Sequence, residues 1–346
     1  MSSRRHCCTS RLKRGLKFVT EREQIAVRGG YAGRIARLAN TDLDVFGLCL
    51  GGNVFGWTID EQRSFEVLDA YAAAGGNFID TADSYGRRGP HGAGESERII
   101  GRWIAARGNR DELVIATKVG MSAERRGLSA DNIKAGAHDS LQRLGIDRID
   151  LYYAHQDDQQ TPLEETLAAF GELVDEGAIR YAAASNYSAE RLEQALALGG
   201  RDGRARYVAL QPHYNLMERD YERDLAPVCE RHGLACVPYF ALARGFLSGK
   251  YRRGGAEIDS PRAAGVKESY ANERGFAVLD ALEQIAAAHD APVAAVSLAW
   301  LRVQPTVLAP IASATSPEQL AELTASVTLG LAPAELARLD EVSEPS

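Results

Sequence analysis

The stretch from LVIATK (113–118) to DLYY (150–153) decides the fold of this chain. Both ends are short runs rich in β-branched or aromatic residues, which is typical of buried strands. The residues between them carry apolar side chains at the spacing of a helix that buries one face, as at Ile133, Ala137 and Leu144. This order of strand, helix and strand predicts two parallel strands joined by a right-handed helical crossover.

The same alternation extends over the chain from about residue 44 onward. Alternating strands and helices leave two architectures, a doubly wound open sheet or a closed barrel. We predict a single α/β domain with the (β/α)8 TIM barrel fold, because eight units are present and the Gly51-Gly52 pair lacks the G-x-G-x-x-G spacing of a dinucleotide-binding open sheet. The eight strand-like runs are 45–50, 77–80, 113–118, 150–153, 179–184, 207–211, 235–239 and 306–310.

Charge is distributed unevenly along the 346 residues. Residues 1–39 contain ten Lys or Arg and two Glu, a net charge of +8, so the remainder carries −15 of the total of −7. We predict a basic, disordered N-terminal extension at 1–39 and a barrel with a C-terminal helix at 40–346. A targeting or partner-binding arm, or upstream sequence outside the working protein, is the alternative for the extension. The acidic body argues against nucleic-acid binding, which depends on neutralising phosphates.

Cysteine content and hydropathy indicate the cellular compartment of the protein. The five cysteines are an odd number without a metal-like spacing, which predicts free thiols, no metal site and a cytoplasmic protein. No apolar run approaches the roughly 20 residues that cross a bilayer, so we expect no membrane segment.

Chemically useful side chains stand where the predicted strands end, which is where barrels of this kind carry their reactive groups. Asp80, Lys118 and His155 end or follow the second, third and fourth strands, and Tyr85 lies five residues beyond Asp80. We expect these four side chains to lie together at the opening formed by the carboxyl ends of the barrel strands, which we call the mouth. There Lys118 would lower the pKa of Tyr85, and Asp80 would keep Lys118 charged. With His155 as a second hydrogen-bond donor, the set would protonate an oxygen on which negative charge develops.

Seven segments carry a family resemblance, in the expected order. They resemble the aldo-keto reductase family over about residues 41–325. The resemblance implies a (β/α)8 barrel that reduces aldehydes or ketones with NADPH, with NADH as the alternative cofactor. It also implies that the four residues named above are the catalytic set. Tyr85 would give its proton to the carbonyl oxygen. The segments are FIDTADSYG (78–86), ATKVG (116–120), LYYAHQDD (151–158), SNYS (185–188), QPHYN (211–215), LARGFLSGKY (242–251) and PIASATSPEQL (310–320).

The resemblance also implies cofactor-binding positions. Ser185, Asn186 and Gln211 match residues that hold the nicotinamide carboxamide, and Tyr239 matches the aromatic residue that stacks on the nicotinamide ring. The remaining positions match residues near the pyrophosphate and the adenosine. They are Phe240, Leu242, Lys250, Arg262, Ser313, Thr315, Gln319 and Glu322.

Some of these positions depart from the family pattern. After the seventh strand, similar sequences have Ser-Pro-Leu-Ala where this chain has Phe-Ala-Leu-Ala at 240–243, so the resemblance does not carry over the pyrophosphate contact that the serine would make. Thr315 stands where many relatives have arginine, and Leu323 replaces the usual asparagine. The expected preference for NADPH therefore rests mainly on Arg262.

The substrate is expected to be a small carbonyl compound. Trp57 and Phe55, after the first strand, are candidate walls of the substrate pocket, and an apolar surround favours aromatic or medium-sized aliphatic carbonyls. Arg87 and His91 are expected to be solvated loop residues that border substrate. The oligomeric state is left open by the sequence.

Two other functions fit a barrel of this kind. One is a cofactor-binding regulatory protein comparable to potassium-channel beta subunits, which the basic residues 1–39 would support. The other is an aldolase that forms a Schiff base on Lys118.

Overall fold

The computed structural model describes residues 35–255, 258 and 263–345. No helix in these ranges combines the length and the apolar composition needed to cross a bilayer. The strands are β1 (Ile35–Arg37), β2 (Asp44–Phe46), β3 (Cys49–Gly51), β4 (Phe78–Asp80), β5 (Val114–Val119), β6 (Ile149–Ala154), β7 (Ile179–Ser185), β8 (Tyr207–Gln211), β9 (Ala235–Cys236) and β10 (Ile311–Ala312). The α-helices are α1 (Glu61–Ala73), α2 (Glu95–Arg107), α3 (Ala130–Leu144), α4 (Leu163–Asp175), α5 (Ala189–Leu198), α6 (Asp220–Asp224), α7 (Ala226–His232), α8 (Ala263–Tyr270), α9 (Glu273–His289), α10 (Val293–Arg302), α11 (Pro317–Thr324) and α12 (Pro333–Val342).

Strands β3 to β10 form one parallel sheet in the order β10-β3-β4-β5-β6-β7-β8-β9. The two ends of this sheet meet through the chain that leads into β10. The amide of Cys236 donates to the carbonyl of Thr306, and the amide of Leu308 donates back to Cys236, both at 2.9 Å. The ring is therefore closed, and the expected (β/α)8 barrel in a single domain is confirmed.

Side chains alternate between the inside of the barrel and the surrounding helices. Phe78, Ala116, Leu151, Ala183 and Ala209 belong to one buried cluster that fills the interior. The alternate residues of the same strands point outward and pack with the helices in a second, larger cluster. Because the strand period is two residues, the positions that follow the interior residues by two also point inward, at the carboxyl ends of the strands.

A short hairpin plugs the opposite, amino-terminal end of the barrel. Strands β1 and β2 pair antiparallel, and Leu38, Leu43 and Val45 are buried in the interior cluster beside Phe78 and Val114. The prediction that the extension runs to residue 39 is wrong at its carboxyl end, because burial of Leu38 orders residues 35–39 in this plug. Residues 1–34 of the expected extension lie outside the described residues.

Two predicted strands differ from those observed. The expected first strand at 45–50 divides into β2, which belongs to the plug, and β3, which enters the barrel. The expected eighth strand at 306–310 is only partly observed: Val307 bridges Cys236 of β9, but the residues that pair with β3 come later, at Ile311 and Ala312. Pro310 has no amide hydrogen and so cannot donate to a strand ladder. Helix α12 occupies the place expected for the C-terminal helix.

Candidate active site

Three of the expected catalytic residues lie at the carboxyl ends of neighbouring strands. Asp80 ends β4, Lys118 lies in β5, and His155 directly follows β6. Each follows an interior residue by two positions and therefore points into the barrel. Their exposed fractions are 2% for Asp80, 0% for Lys118 and 8% for His155, so the three polar groups are held away from bulk water.

The ammonium group of Lys118 is the centre of this cluster. It donates to Asp80 Oδ2 at 2.7 Å, to the carbonyl oxygen of Thr81 at 2.7 Å and to Tyr85 Oη at 3.1 Å. Burial by itself would lower the pKa of Lys118, but the Asp80 carboxylate and the Tyr85 hydroxyl raise it above its usual value. All three N–H groups are used, and the lysine stays charged at neutral pH.

Asp80 is held in place from two sides. Its Oδ2 accepts from Lys118, and its Oδ1 accepts from Gln211 Nε2 at 2.9 Å, at the end of β8. This contact crosses the barrel mouth and joins the expected catalytic residues to one of the expected cofactor residues.

Tyr85 lies above Lys118, in the loop between β4 and α2. Its ring centroid is 4.6 Å from Lys118 Nζ and 6.1 Å from the centroid of the His155 imidazole. The expectation that Lys118 lowers the pKa of Tyr85 is wrong for the net effect, because burial raises this pKa more than the lysine lowers it. The phenol therefore keeps its proton at neutral pH, as a proton donor must.

His155 is a neutral imidazole at neutral pH. Burial, followed by the charges of Lys118 and Arg87, holds its pKa well below the usual value. Its Nδ1 is buried without a hydrogen-bond partner among the described residues. A neutral imidazole has one N–H donor and one acceptor, so His155 can donate one hydrogen bond toward a substrate oxygen.

A cavity of about 1600 Å³ opens from this cluster and runs along the carboxyl edge of the barrel. Asp80, Tyr85, His155 and Trp57 line it at one end. It also brings together the expected cofactor positions within the described residues: Ser185, Asn186, Gln211, Tyr239, Phe240, Leu242, Lys250, Ser313, Thr315, Gln319 and Glu322. Arg262, the remaining expected position, lies outside the described residues.

The two aromatic residues expected to line the substrate pocket have different positions. Trp57 lines the cavity, but Phe55 is fully buried in the cluster between the barrel and its helices. The assignment of Phe55 to the substrate pocket is therefore wrong. A backbone bridge joins Phe55 and Ile59 in this loop, and the side chains of Phe55 and Trp57 lie in different surroundings, one in the core and the other at the cavity.

Hydrogen bonds organise the wall next to His155. Asn186 Nδ2 donates to the carbonyl of His155 at 2.8 Å and to Ser185 Oγ at 3.0 Å, and Ser185 Oγ donates to the carbonyl of Gln211 at 2.8 Å. Tyr239 Oη donates to Asn186 Oδ1 at 2.8 Å, and its ring stacks on His213 with centroids 5.3 Å apart. Amide and hydroxyl groups are thus fixed around one pocket beside the candidate proton donor.

The loop after β9 borders the middle of the cavity and has an uncommon backbone. Phe240, Ala243 and Arg244 have positive φ angles of 51°, 47° and 58°, which cost free energy in residues with a Cβ. Arg244 and Lys250 both line the cavity. Two cations therefore border this wall although the sequence lacks the serine usual in similar chains.

The far end of the cavity lies between α1 and α11. Ser313 Oγ donates to Asn53 Oδ1 at 2.9 Å, and Thr315 Oγ1 donates to Gln319 Oε1 at 2.8 Å. Arg63, from the first turn of α1, also lines this end. The cavity thus has a hydrogen-bonding end, a cationic middle and a polar far end, an order that suits a dinucleotide.

A model of the Aldo/keto reductase family matches residues 47–344, most of the chain. The chain belongs to the aldo/keto reductase family. It is 32% identical to an uncharacterized oxidoreductase of Bacillus subtilis, over 88% of this chain and 94% of the relative. It is 30% identical to an NADH-specific methylglyoxal reductase of Escherichia coli, over 85% and 91% of the two chains. It is also 32% identical to a probable voltage-gated potassium channel subunit beta of Oryza sativa subsp. japonica, over 82% and 88%.

Sequence reasoning missed several polar residues of this aldo/keto reductase. Arg63 and Arg244 line the cavity, but an arginine on an exposed helix or loop gives no signal in the sequence that separates it from a solvated one. Asp83 is a different case, because it lies within a segment that carries the family resemblance and is only 5% exposed.

Asp83 is an unusual buried carboxyl two residues before Tyr85. Neither of its oxygens has a hydrogen-bond partner among the described residues. Burial and the charge of Glu97 raise its pKa to about 7, although Arg143 and Lys118 oppose the rise. Glu97 itself is fully buried, accepting from Thr117 Oγ1 and from Arg143 Nε, each at 2.6 Å.

Replacing Asp83 with Asn is expected to stabilise this aldo/keto reductase most at high pH. The folded pKa is about 7, against an unfolded value of about 4. The neutral carboxyl therefore favours folding below pH ~4, and this contribution is lost as the pH rises through the folded pKa. Thermal unfolding should show a larger gain in Tm for Asp83→Asn at pH 8 than at pH 5.

The exposed Asp175 offers a matched control for this substitution. The Asp175→Asn variant should change Tm little at either pH. An equal shift of the Asp83→Asn variant at pH 5 and pH 8 would contradict a raised pKa at Asp83.

Proposed function

We propose that this aldo/keto reductase reduces aldehydes or ketones to alcohols with NADPH and that Tyr85 is the proton donor. The observation that carries the proposal is the Lys118 ammonium, which bonds Asp80 and Tyr85 at once beside a neutral His155. Reduction of a carbonyl needs a proton at the oxygen and a hydride at the carbon. The cluster offers the proton, and a bound nicotinamide supplies the hydride.

Each residue of the cluster has one part in the proposed proton transfer. Tyr85 donates the proton on Oη to the carbonyl oxygen, and Lys118 stabilises the phenolate that remains. Asp80 keeps Lys118 charged and oriented. His155 donates its single N–H to the same carbonyl oxygen, so that two donors meet the developing negative charge.

The donor set along the cavity fits a nicotinamide dinucleotide. Ser185, Asn186 and Gln211 present amide and hydroxyl groups of the kind that hold a carboxamide. Lys250 and Arg244 border the middle of the cavity, where a pyrophosphate would need cations. We propose that Tyr239 and Phe240 face the nicotinamide, that Leu242 lies against the pyrophosphate, and that the adenosine is held by Ser313, Thr315, Gln319 and Glu322.

Preference for NADPH is proposed through Arg262, which would pair with the 2′-phosphate of the adenosine. NADH is the alternative cofactor, and the Escherichia coli relative named above is described as NADH-specific. The buried free thiols of Cys49, Cys229 and Cys236 support the cytoplasmic location expected from the sequence.

A panel of aldehydes and ketones assayed in parallel with NADPH and NADH tests this proposal. We expect oxidation of the reduced cofactor that depends on the carbonyl substrate, with a higher kcat/KM for NADPH than for NADH. Equal use of both cofactors would remove the proposed role of Arg262. No turnover of any carbonyl with either cofactor would overturn the proposed function.

The two other functions find less support. An aldolase needs a neutral amine to attack a carbonyl, but the pKa of Lys118 is raised and its three donors are all bonded. The Oryza sativa relative is named a probable voltage-gated potassium channel subunit beta. A regulatory role for this chain does not require the complete set of Asp80, Tyr85, Lys118 and His155.

A further inference from the structure

Arg87 lies on a tight turn at the substrate end of the cavity. The amide of Gly89 donates to the carbonyl of Gly86 at 2.8 Å, so Arg87 and Arg88 occupy the two central positions of the turn. Arg87 lines the cavity together with Tyr85 and His155. Its charge is near enough to His155 to contribute to the lowered pKa of that imidazole.

The turn is fixed against the neighbouring loop. Gly89 packs on the backbone of Gly56 so closely that a Cβ at position 89 would collide with the Gly56 carbonyl oxygen. Arg88 Cζ lies 5.3 Å from the centre of the Trp57 ring, which lines the same cavity. Arg87 therefore projects from a turn whose position is set by two contacts rather than from a free loop.

Three carboxylates near this end of the cavity already have cationic partners. Asp80 pairs with Lys118 at 2.7 Å, Asp157 pairs with Arg191 at 2.9 Å, and Glu95 pairs with Arg102 at 2.8 Å. No carboxylate of residues 35–255, 258 or 263–345 forms an ion pair with Arg87. Within the described residues, Arg87 thus offers the cavity a guanidinium without a carboxylate partner, next to the candidate proton donor.

We propose that Arg87 binds a carboxylate of the substrate, so that the preferred substrates are aldehydes or ketones that carry a carboxylate on the side of the carbonyl facing this turn. This inference rests on the proposed function. A guanidinium presents paired N–H donors that match the two oxygens of a carboxylate, and both oxygens can be bonded at once. Arg87 would fix the orientation of the substrate while Tyr85 and His155 bind the carbonyl oxygen.

The test compares matched substrates that differ in charge. 4-Carboxybenzaldehyde is paired with 4-carbamoylbenzaldehyde, and succinic semialdehyde with its amide, and kcat/KM is measured with NADPH for the wild type and for Arg87→Gln, Arg87→Lys and Arg88→Gln. We expect the ratio of carboxylate to amide substrate to fall at least about tenfold in Arg87→Gln, mainly through KM of the carboxylate substrate. Arg87→Lys should restore part of the ratio, and Arg88→Gln should keep it.

Salt gives a second readout. A contact between a guanidinium and a carboxylate in an open cavity is screened by ions, so the wild-type ratio should fall as ionic strength rises, and the Arg87→Gln ratio should not. The inference is overturned if Arg87→Gln keeps the wild-type ratio. It is also overturned if Arg88→Gln lowers the ratio equally, because both arginines would then act through the positive electrostatic potential of the loop and not through a contact of Arg87 with the carboxylate. Absence of turnover for charged and amide substrates alike would instead contradict the proposed function.

Discussion

Replacing Tyr85 with Phe is expected to lower kcat/KM for carbonyl reduction about 10²–10⁴-fold, the usual contribution of a positioned acid. The substitution removes the hydroxyl that accepts from Lys118 at 3.1 Å and leaves the ring in place against His155. Steady-state rates with an uncharged aldehyde measure the loss. Titration with NADPH, followed by cofactor fluorescence, should give a dissociation constant close to that of the wild type.

Tyr181 provides a matched control. It lies at the other end of the barrel, where its hydroxyl donates to Asp42 Oδ1 at 2.8 Å. The Tyr181→Phe variant should retain full activity, since it loses the same atom far from the cavity. Retained turnover in Tyr85→Phe would show that another group supplies the proton.

Replacing Lys118 with Met is expected to destabilise the protein by about 3–5 kcal/mol, as well as to abolish activity. Asp80, 2% exposed, would then lack the ammonium that offsets its burial. Burial already raises the pKa of Asp80 in the intact protein, so without Lys118 the carboxyl would be either charged without a cation or protonated at a cost in free energy. Removing one partner of a buried pair leaves the other charge without compensation, which costs more than the pair contributes. The free energy of unfolding in urea measures the effect.

The double variant Asp80→Asn/Lys118→Met separates loss of charge balance from loss of packing. We expect it to be more stable than Lys118→Met alone, because the uncompensated carboxylate is gone. A double variant that is less stable than Lys118→Met would contradict the account of Lys118 and Asp80 as a charge-balanced pair.

Much of this architecture could be predicted from the sequence because the fold imposes simple periods on it. Strands buried on both faces appear as short apolar runs, such as 113–118, and the helices between them keep one apolar stripe. Asp80, Lys118 and His155 could be placed together because parallel strands bring their carboxyl ends to the same side of a barrel.

What the sequence left undetermined depends on contacts between distant parts of the chain. The plug strands β1 and β2 are three residues long, too short to show a period, and they form because Leu38 and Val45 fill the open end of the barrel. Phe55 and Trp57 are both large aromatic residues, so the sequence gives the same indication of a pocket wall for each. Only the turn of their loop buries one and leaves the other in the cavity.

The pKa shifts in the site were predicted less well than the identity of its residues. The effect of Lys118 on Tyr85 could be argued from residue types, but the opposing effect of burial depends on how the whole mouth packs. The same is true of Asp83, whose raised pKa comes from burial and from Glu97, fourteen residues further along the chain.

Transfer of a labelled hydride tests the central claim most directly. The wild-type protein is incubated with NADPH that carries two deuterium atoms at C4 of the nicotinamide and with benzaldehyde, and the product is analysed by mass spectrometry. We predict benzyl alcohol with one deuterium at the carbinol carbon. Unlabelled alcohol, or no alcohol while borohydride traps the aldehyde on Lys118, would contradict the proposed function.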